Sequence, residues 1–148
     1  MQRNFCLILV AGVMLGCTSI NVTPLDPDAG ISRLCIEKND RVDVPGFLEI
    51  VRAGFERHGI RSSVFSGSRP ADCPAVLTYT ALRSWDLATY MSHAELWVRD
   101  DQDVLIASAE YHLVGGGGFA LTKFASTKSK MRAVFDELLK DYPRPEAK

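Results

Sequence analysis

Hydrophobic and polar residues alternate along the middle of this chain, as they do in β-strands. The segments AVLTYTALRSW, TYMSHAELWV and DVLIASAEYHLV, within residues 75–114, place an apolar residue at nearly every second position. A period of two sends successive side chains to opposite faces of a sheet. Turn-forming residues near 86–88 and 100–103 separate the segments. The pattern therefore predicts an antiparallel meander of three strands.

The second hairpin of this meander sets the predicted register. With residues 101–102 as the loop, Leu96 lies opposite Ala107 and His93 lies opposite Glu110. One face of the three strands then forms the predicted core side, which comprises Leu77, Tyr79, Ala81, Ala94, Leu96, Val98, Leu105, Ala107, Tyr111 and Leu113.

Two further strands and two helices flank the meander. Residues 31–38 and 60–65 alternate like short strands. Between them a helix is predicted to begin near Asp43, and another follows the GGGG segment at 115–118. The two helices carry continuous apolar stripes, which are Val44, Phe47, Leu48, Val51 and Phe55 in the first and Phe124, Met131, Val134, Phe135, Leu138 and Leu139 in the second.

The order β-α-β-β-β-β-α predicts an α+β fold, a two-layer α/β sandwich with both helices on one face of a mixed sheet. If Cys35 is bonded to Cys73, the first strand lies near the start of the third. The five predicted strands, numbered along the chain, then take an order such as 2-1-3-4-5. We expect a single domain over 31–142, followed by a polar tail over 143–148.

The N-terminus resembles that of a bacterial lipoprotein. Residues 5–15, FCLILVAGVML, are uncharged but shorter than the roughly 20 apolar residues that span a bilayer, as in a signal peptide. The following Gly16-Cys17 resembles a lipobox, in which the cysteine is acylated after cleavage. We therefore expect a signal peptide over 1–16, a lipid on Cys17 and a flexible tether over 17–30. An ordinary signal peptide with a chance cysteine is the alternative.

The position after Cys17 decides the expected membrane. In enteric-type lipoproteins an aspartate there retains the protein in the inner membrane, and Thr18 stands there instead. We expect a lipid anchor in the outer membrane, with the domain facing the periplasm.

The remaining cysteines fit an oxidising compartment. If Cys6 leaves with the signal peptide and Cys17 takes a lipid, Cys35 and Cys73 remain as a pair. We expect a disulfide between them, with two buried thiols as the alternative. Their wide spacing does not match a Cys-x-x-Cys redox or metal site.

Composition and motifs point away from several functions. The net charge of −1 gives no basic field for nucleic acid. The chain lacks the G-x-x-x-x-G-K-[ST] phosphate loop and the G-x-S-x-G nucleophile context, and it shows no cofactor motif. We therefore expect a non-enzymatic protein without a cofactor.

Two short blocks, HAE at 93–95 and EYH at 110–112, carry the candidate chemistry. His93, Glu95, Glu110 and His112 are predicted to project from the sheet face opposite the core. Such a face can be merely solvated, can bind a partner protein, or can bind a metal or support acid–base chemistry. Solvation is the default, because a flat sheet neither excludes water nor focuses ligands on one point.

Two other segments allow alternative interpretations. Trp85 stands at a strand end, where a tryptophan more often covers the core than recognises a ligand. The glycines at 115–118 suit a flexible turn or a close backbone approach. A partner or membrane contact through Phe119 and Leu121 is the alternative for this loop.

The blocks GCTSINV, CIEKN, ERHGI, LTYTALRSWDLATYMSHAEL and AEYHL resemble the Sbal family, a group of small proteobacterial lipoproteins named from a locus tag. The resemblance implies lipidation at Cys17 and the pair Cys35 and Cys73, but no activity. Together these observations predict an envelope lipoprotein that binds a partner or assists assembly. The alternative is a metal-binding or hydrolytic module on the His/Glu face.

Overall fold

A six-stranded mixed sheet carries two helices on one face, which confirms the predicted α+β class. A computed structural model describes residues 18–118 and 120–142. The strands are β1 (Thr18–Thr23), β2 (Arg33–Glu37), β3 (Arg61–Phe65), β4 (Ala75–Asp86), β5 (Ala88–Asp100) and β6 (Leu105–Leu113), and the helices are α1 (Phe47–Glu56) and α2 (Thr127–Leu138). The predicted signal peptide, Cys17 and the polar tail lie outside the described residues.

The strand order is β1-β6-β5-β4-β2-β3. The five predicted strands, now β2 to β6, lie in the predicted order within the sheet. Strand β2 is parallel to both β3 and β4, and the remaining pairs are antiparallel. The prediction lacked the sixth strand, β1, which pairs antiparallel with β6.

Strand β1 corrects the predicted tether over 17–30. Ile20 and Val22 pack against the core beneath the sheet. Leu25 is fully buried, and its backbone N–H donates to the carbonyl of Leu138 at 2.9 Å. The segment is held as a strand because its residues alternate between apolar and polar, and because it pairs with the edge of β6 that β5 leaves open.

The main core lies between the sheet and the helices. Phe55 of α1 and Phe135 of α2 meet edge to face, with ring centroids 5.3 Å apart. Gly54 lets α2 approach α1, since a Cβ there would lie 2.4 Å from the Phe135 ring. Helix α1 begins at Phe47, after Gly46 at φ 68°, rather than near Asp43 as predicted.

The hairpin between β5 and β6 corrects the predicted register. Leu96 lies opposite Ala109, and His93 lies opposite His112 rather than Glu110. The cause is a longer turn, in which Asp100 Oδ1 accepts from two backbone N–H groups, together with a bulge after Val98. The shift is two residues, so the side chains of β6 from Ala107 onward keep their predicted face. Leu105 does not: it was predicted on the core side, but beyond the bulge it pairs with Arg99 and is 50% exposed.

The sheet face away from the helices, called the open face below, is covered at the β2 end. Cys35 and Cys73 form the predicted disulfide, with their Cα atoms 5.8 Å apart. They pack with Val76 and Phe65 as a second, smaller apolar cluster. The bond ties the loop that precedes β4 to the centre of β2.

The last region before α2 consists of short 3-10 turns. Val114–Gly117 and Leu121–Phe124 each form one turn, and the second is separate from α2. The predicted close backbone approach occurs at Gly117, where a Cβ would lie 2.9 Å from Lys123 Cβ.

Candidate functional site

The four predicted side chains lie together on the open face, where the middle of β5 pairs with the C-terminal half of β6. His93 pairs with His112 across the two strands, and Glu95 pairs with Glu110. Their neighbours Ala94 and Tyr111 point to the opposite, buried face. The geometry thus brings two imidazoles and two carboxylates together, as the mirrored blocks predict.

His93 is the centre of the group. Its Nε2 lies 2.6 Å from Glu95 Oε1, and its Nδ1 lies 3.2 Å from His112 Nδ1. If both rings are neutral, His93 donates to the carboxylate through Nε2–H and accepts from His112 Nδ1–H. The His93 side chain is only 17% exposed, whereas Glu95 is 31% exposed and His112 is open to solvent.

The paired carboxylates are the unusual part of the group. Glu95 and Glu110 lie directly opposite each other, and like charges in that position destabilise a sheet. Among the ion pairs of the described residues, no lysine or arginine reaches either carboxylate. A cation bound between the two side chains would therefore stabilise the pair.

Strand β1 adds a polar residue that the sequence analysis missed. Asn21 lies opposite Glu110, and its Nδ2 donates to Glu110 Oε2 at 3.4 Å and to Ser19 Oγ at 3.3 Å. The polar–apolar alternation of residues 19–23, SINVT, was the available signal. It was hidden by the prolines that follow directly after it.

The open face is not flat at this point, contrary to prediction. A concavity of about 440 Å³ lies between β1, β6 and β5. Asn21, Glu95, Glu110 and Trp97 contribute to its lining. Because the carboxylates border this concavity, a small ligand or a partner side chain can reach them.

Three of the side chains could hold a metal ion. Ligand atoms of His93, Glu95 and Glu110 all lie within 4.8 Å of one another. An imidazole nitrogen with carboxylate oxygens is a donor set that suits zinc and other divalent transition metals. These residues thus fit a cation that would also relieve the repulsion between the two carboxylates.

A larger groove lies elsewhere, between α1 and α2. Its volume is about 760 Å³, and Glu49, Arg57, Arg132 and Phe135 are among its lining residues. It is on the helix side of the sheet. It shares no residue with the group of His93, Glu95, Glu110 and His112, called the His/Glu group below. It contains no cluster of metal ligands among the described residues, so the smaller concavity remains the candidate site.

Trp85 does not cover the core, which corrects the prediction. It lies near the tip of the β4–β5 hairpin and is 75% exposed. Lys123 ties this tip to the glycine loop, because its Nζ contacts Asp86 Oδ2 and donates to the carbonyl of Gly118 at 2.8 Å. Phe119 lies outside the described residues.

Solved structures share this fold at low sequence identity. Two structures of the PelC dodecamer from Paraburkholderia phytofirmans, one of a point variant, align with TM-scores of 0.54 and 0.53. In both the identity is 13%, and the alignment covers 82% of this chain and 96% of PelC. This likeness defines the fold.

A minor lipoprotein from Acinetobacter baumannii aligns more loosely, with a TM-score of 0.32 at 16% identity over 76% of this chain and 89% of that one. No protein-family model matches the chain, and no curated protein matches it. Within residues 18–118 and 120–142, no helix has the length and apolarity needed to cross a membrane.

Proposed function

We propose that this chain is a lipoprotein of the bacterial envelope, anchored through Cys17 in the outer membrane, whose domain binds another protein and performs no catalysis. The lipobox-like Gly16-Cys17 and the resemblance to the Sbal family support the anchor. The Cys35–Cys73 disulfide suits the oxidising periplasm.

The observation that carries the proposal is the position of β1. The strand begins at Thr18, one residue after Cys17, and pairs along its whole length with β6. A lipid on Cys17 would therefore hold the sheet directly at the membrane surface in a restricted orientation. Such a domain is suited to docking at a fixed place, since it cannot swing on a tether to collect substrates.

The fold likeness to PelC supports a role in assembly. The PelC structures are dodecamers, so a domain of this fold can take part in a protein assembly. In this chain we place the partner on the open face, around Glu110 and His112. The candidate partners are another envelope protein or further copies of the chain.

The anchor is tested with Cys17→Ala. We expect the variant to lack acylation and to remain as unprocessed precursor in the inner membrane, and mass spectrometry with membrane fractionation measures both. Cleaved protein without lipid, free in the periplasm, would contradict the proposal and support an ordinary signal peptide.

The docking face is tested by photo-crosslinking in cells. A photoreactive residue at His112, which is exposed on the open face, should give a discrete adduct, whereas one at the exposed Arg132 of α2 should not. Adducts from position 132 alone would contradict the assignment of the face. An adduct with twice the mass of the chain would identify the partner as a second copy.

A second candidate function is the binding of a divalent metal by His93, Glu95 and Glu110. The mutual distances of their ligand atoms favour it. Zinc titration of the mature chain, followed by calorimetry, should give micromolar binding that Glu110→Gln removes. Glu37→Gln, at an exposed carboxylate outside the group, is the control. Absence of binding at micromolar zinc would exclude this function.

A further inference from the structure

Exposed apolar side chains are concentrated at one end of the sheet. Trp85 and Leu87 at the β4–β5 hairpin tip are 75% and 87% exposed, and Leu121 in the neighbouring 3-10 turn is 82% exposed. We call these residues, with Val114, the tip patch. At the opposite end of the sheet, Val104 and Leu105 are about half exposed.

The backbone conformation of Leu87 sets the tip patch apart from ordinary exposed apolar residues. Its φ of 59° is in the left-handed region, which glycine and asparagine tolerate but a leucine side chain opposes. Leucine therefore costs backbone energy at this position and, being 87% exposed, recovers almost none by burial within the chain. Strained residues of this kind cluster at ligand-binding and switch regions, so the conformation of Leu87 is a reason to look for a binding role at the tip.

The tip patch lies at the end of the sheet where β1 begins. Thr18 pairs with Leu113, next to the His93–His112 pair, at the N-terminal half of β5. The hairpin closes at Asp86 and Ala88, five residues beyond His93. At 3.3 Å per residue, the tip extends about 16 Å past His93, on the side of the sheet where β1 begins at Thr18.

Charge at this end of the molecule is largely neutralised. Asp86, the one carboxylate in residues 83–90, pairs with Lys123, whose side chain is 8% exposed. Arg83 pairs with Asp43 at the base of the tip. Because Asp86 is paired, the apolar groups beside it can approach a lipid surface without bringing an unpaired carboxylate there. Tryptophan is well suited to the headgroup region of a membrane.

We propose that the tip patch enters the interface of the same membrane leaflet that holds the lipid on Cys17. The inference rests on the proposed anchor, which places a membrane at this end of the sheet. Because the tip extends beyond Thr18, the strands must be oblique to the membrane for both contacts to form. The lipid and the tip would then fix two points and leave the open face accessible to the periplasm.

The test uses the mature chain 17–148, which contains every element from Thr18 to Tyr142. Its free thiol, Cys17, is coupled to a maleimide lipid in vesicles of phosphatidylethanolamine and phosphatidylglycerol, so that attachment does not depend on cellular acylation. The chain has two tryptophans. Trp97→Phe therefore reports on Trp85 alone, and Trp85→Phe reports on Trp97 as the matched control.

Lipids brominated near the headgroup should quench most of the Trp85 emission and shift it to the blue, while Trp97 emission stays unchanged. Leu87→Ser should reduce the quenching of Trp85, and Leu105→Ser, at the far end of the sheet, should not. Unquenched Trp85 on attached protein would overturn the inference. A second result would also overturn the inference: without vesicles, Trp85 is shielded from iodide and the protein in solution has twice the mass of one chain. A second copy would then cover the patch.

The outcome is separable from the fate of the anchor. Failure of Cys17→Ala to block acylation in cells would remove the proposed anchor, whereas the vesicle experiment supplies the attachment chemically. Quenching of Trp85 in that experiment would support a membrane-binding tip even if the anchor proposal failed.

Discussion

Gly54 is the residue on which the packing of the two helices depends. A methyl group at this position would lie 2.4 Å from Cδ2 and Cε2 of Phe135, an aromatic ring that is itself buried. We expect Gly54→Ala to lower the free energy of unfolding by about 1–3 kcal/mol, as overpacked cores do. Urea denaturation measures the change. Arg132→Ala, on the exposed side of α2, should stay within about 0.5 kcal/mol of the parent, and an equally stable Gly54→Ala would refute the close approach.

Lys130 is a buried cation held by backbone carbonyls. Its Nζ donates to the carbonyl of Met91 at 2.9 Å and to that of Lys123 at 2.5 Å. The rings of Tyr90 and Tyr111 lie 5.5 Å and 5.8 Å away. Desolvation lowers the pKa of Lys130 in the folded protein below its usual 10.5.

This pKa shift predicts a pH dependence of stability. Between the lowered folded pKa and 10.5, the folded state has released the proton that the unfolded state still binds, so unfolding takes up a proton. The free energy of unfolding should therefore rise with pH across this window, relative to Lys130→Met. Burial raises the pKa of Tyr111 and Tyr142, which acts in the opposite direction above pH 10 in both proteins.

Urea titrations of the parent and of Lys130→Met from pH 7 to pH 10 measure the difference. Lys128→Met, at an exposed neighbour on α2, is the control and should run parallel to the parent. A constant difference between the parent and Lys130→Met would mean that the buried ammonium is not destabilised by its surroundings.

At the scale of the elements, the stability that β1 and the residues after it contribute shows whether the N-terminal segment is folded or is a tether. Leu25, directly after the strand, is 0% exposed and bonded to the end of α2. We expect Leu25→Ala to cost about 2–5 kcal/mol, the usual range for removing a buried leucine side chain. Thermal unfolding gives the loss, and Leu105→Ala, half exposed on β6, should be nearly neutral. If Leu25→Ala were neutral too, the tether interpretation would be restored.

The disulfide joins two parts of the chain that are far apart in sequence. Cys35 lies on β2 and Cys73 in the loop before β4, 38 positions apart. Closing a loop of this length stabilises by about 4 kcal/mol in the chain-entropy model. Reduction should therefore lower the melting temperature by many degrees, and Cys73→Ala should match the reduced parent. Reaction of both thiols with a labelling reagent in the native, unreduced protein would show that the bond is absent.

The same elements show what local patterns can predict. Period-two alternation over eight or more residues was sufficient for β4, β5 and β6, since a buried face on each strand enforces it. The sequence analysis missed strand β1 because its alternation is short and its stability comes from pairing with the edge of β6. The register error arose at Asp103, whose φ of 64° belongs to a turn longer than the two residues assumed.

For the molecule as a whole, the sequence predicted the residues of the His/Glu group but not their surroundings. Period two placed His93 and Glu110 on one face regardless of the register error. The concavity beside them depends on β1, and the projection of Trp85 depends on how far the hairpin extends past its neighbours. Both are properties of the assembled sheet, which no single segment encodes.

The pairing of β1 with β6 also has a consequence for how the protein is made. Thr18 is synthesised long before its partner Leu113, so the first strand of the domain must wait for the last one. Contacts between such distant parts of a chain form slowly. Until β6 is made, the apolar residues Ile20 and Val22 cannot pack against the core through the sheet. A nascent chain that stops short of residue 105 would leave β5 as an open edge, available for aggregation or for a holding chaperone.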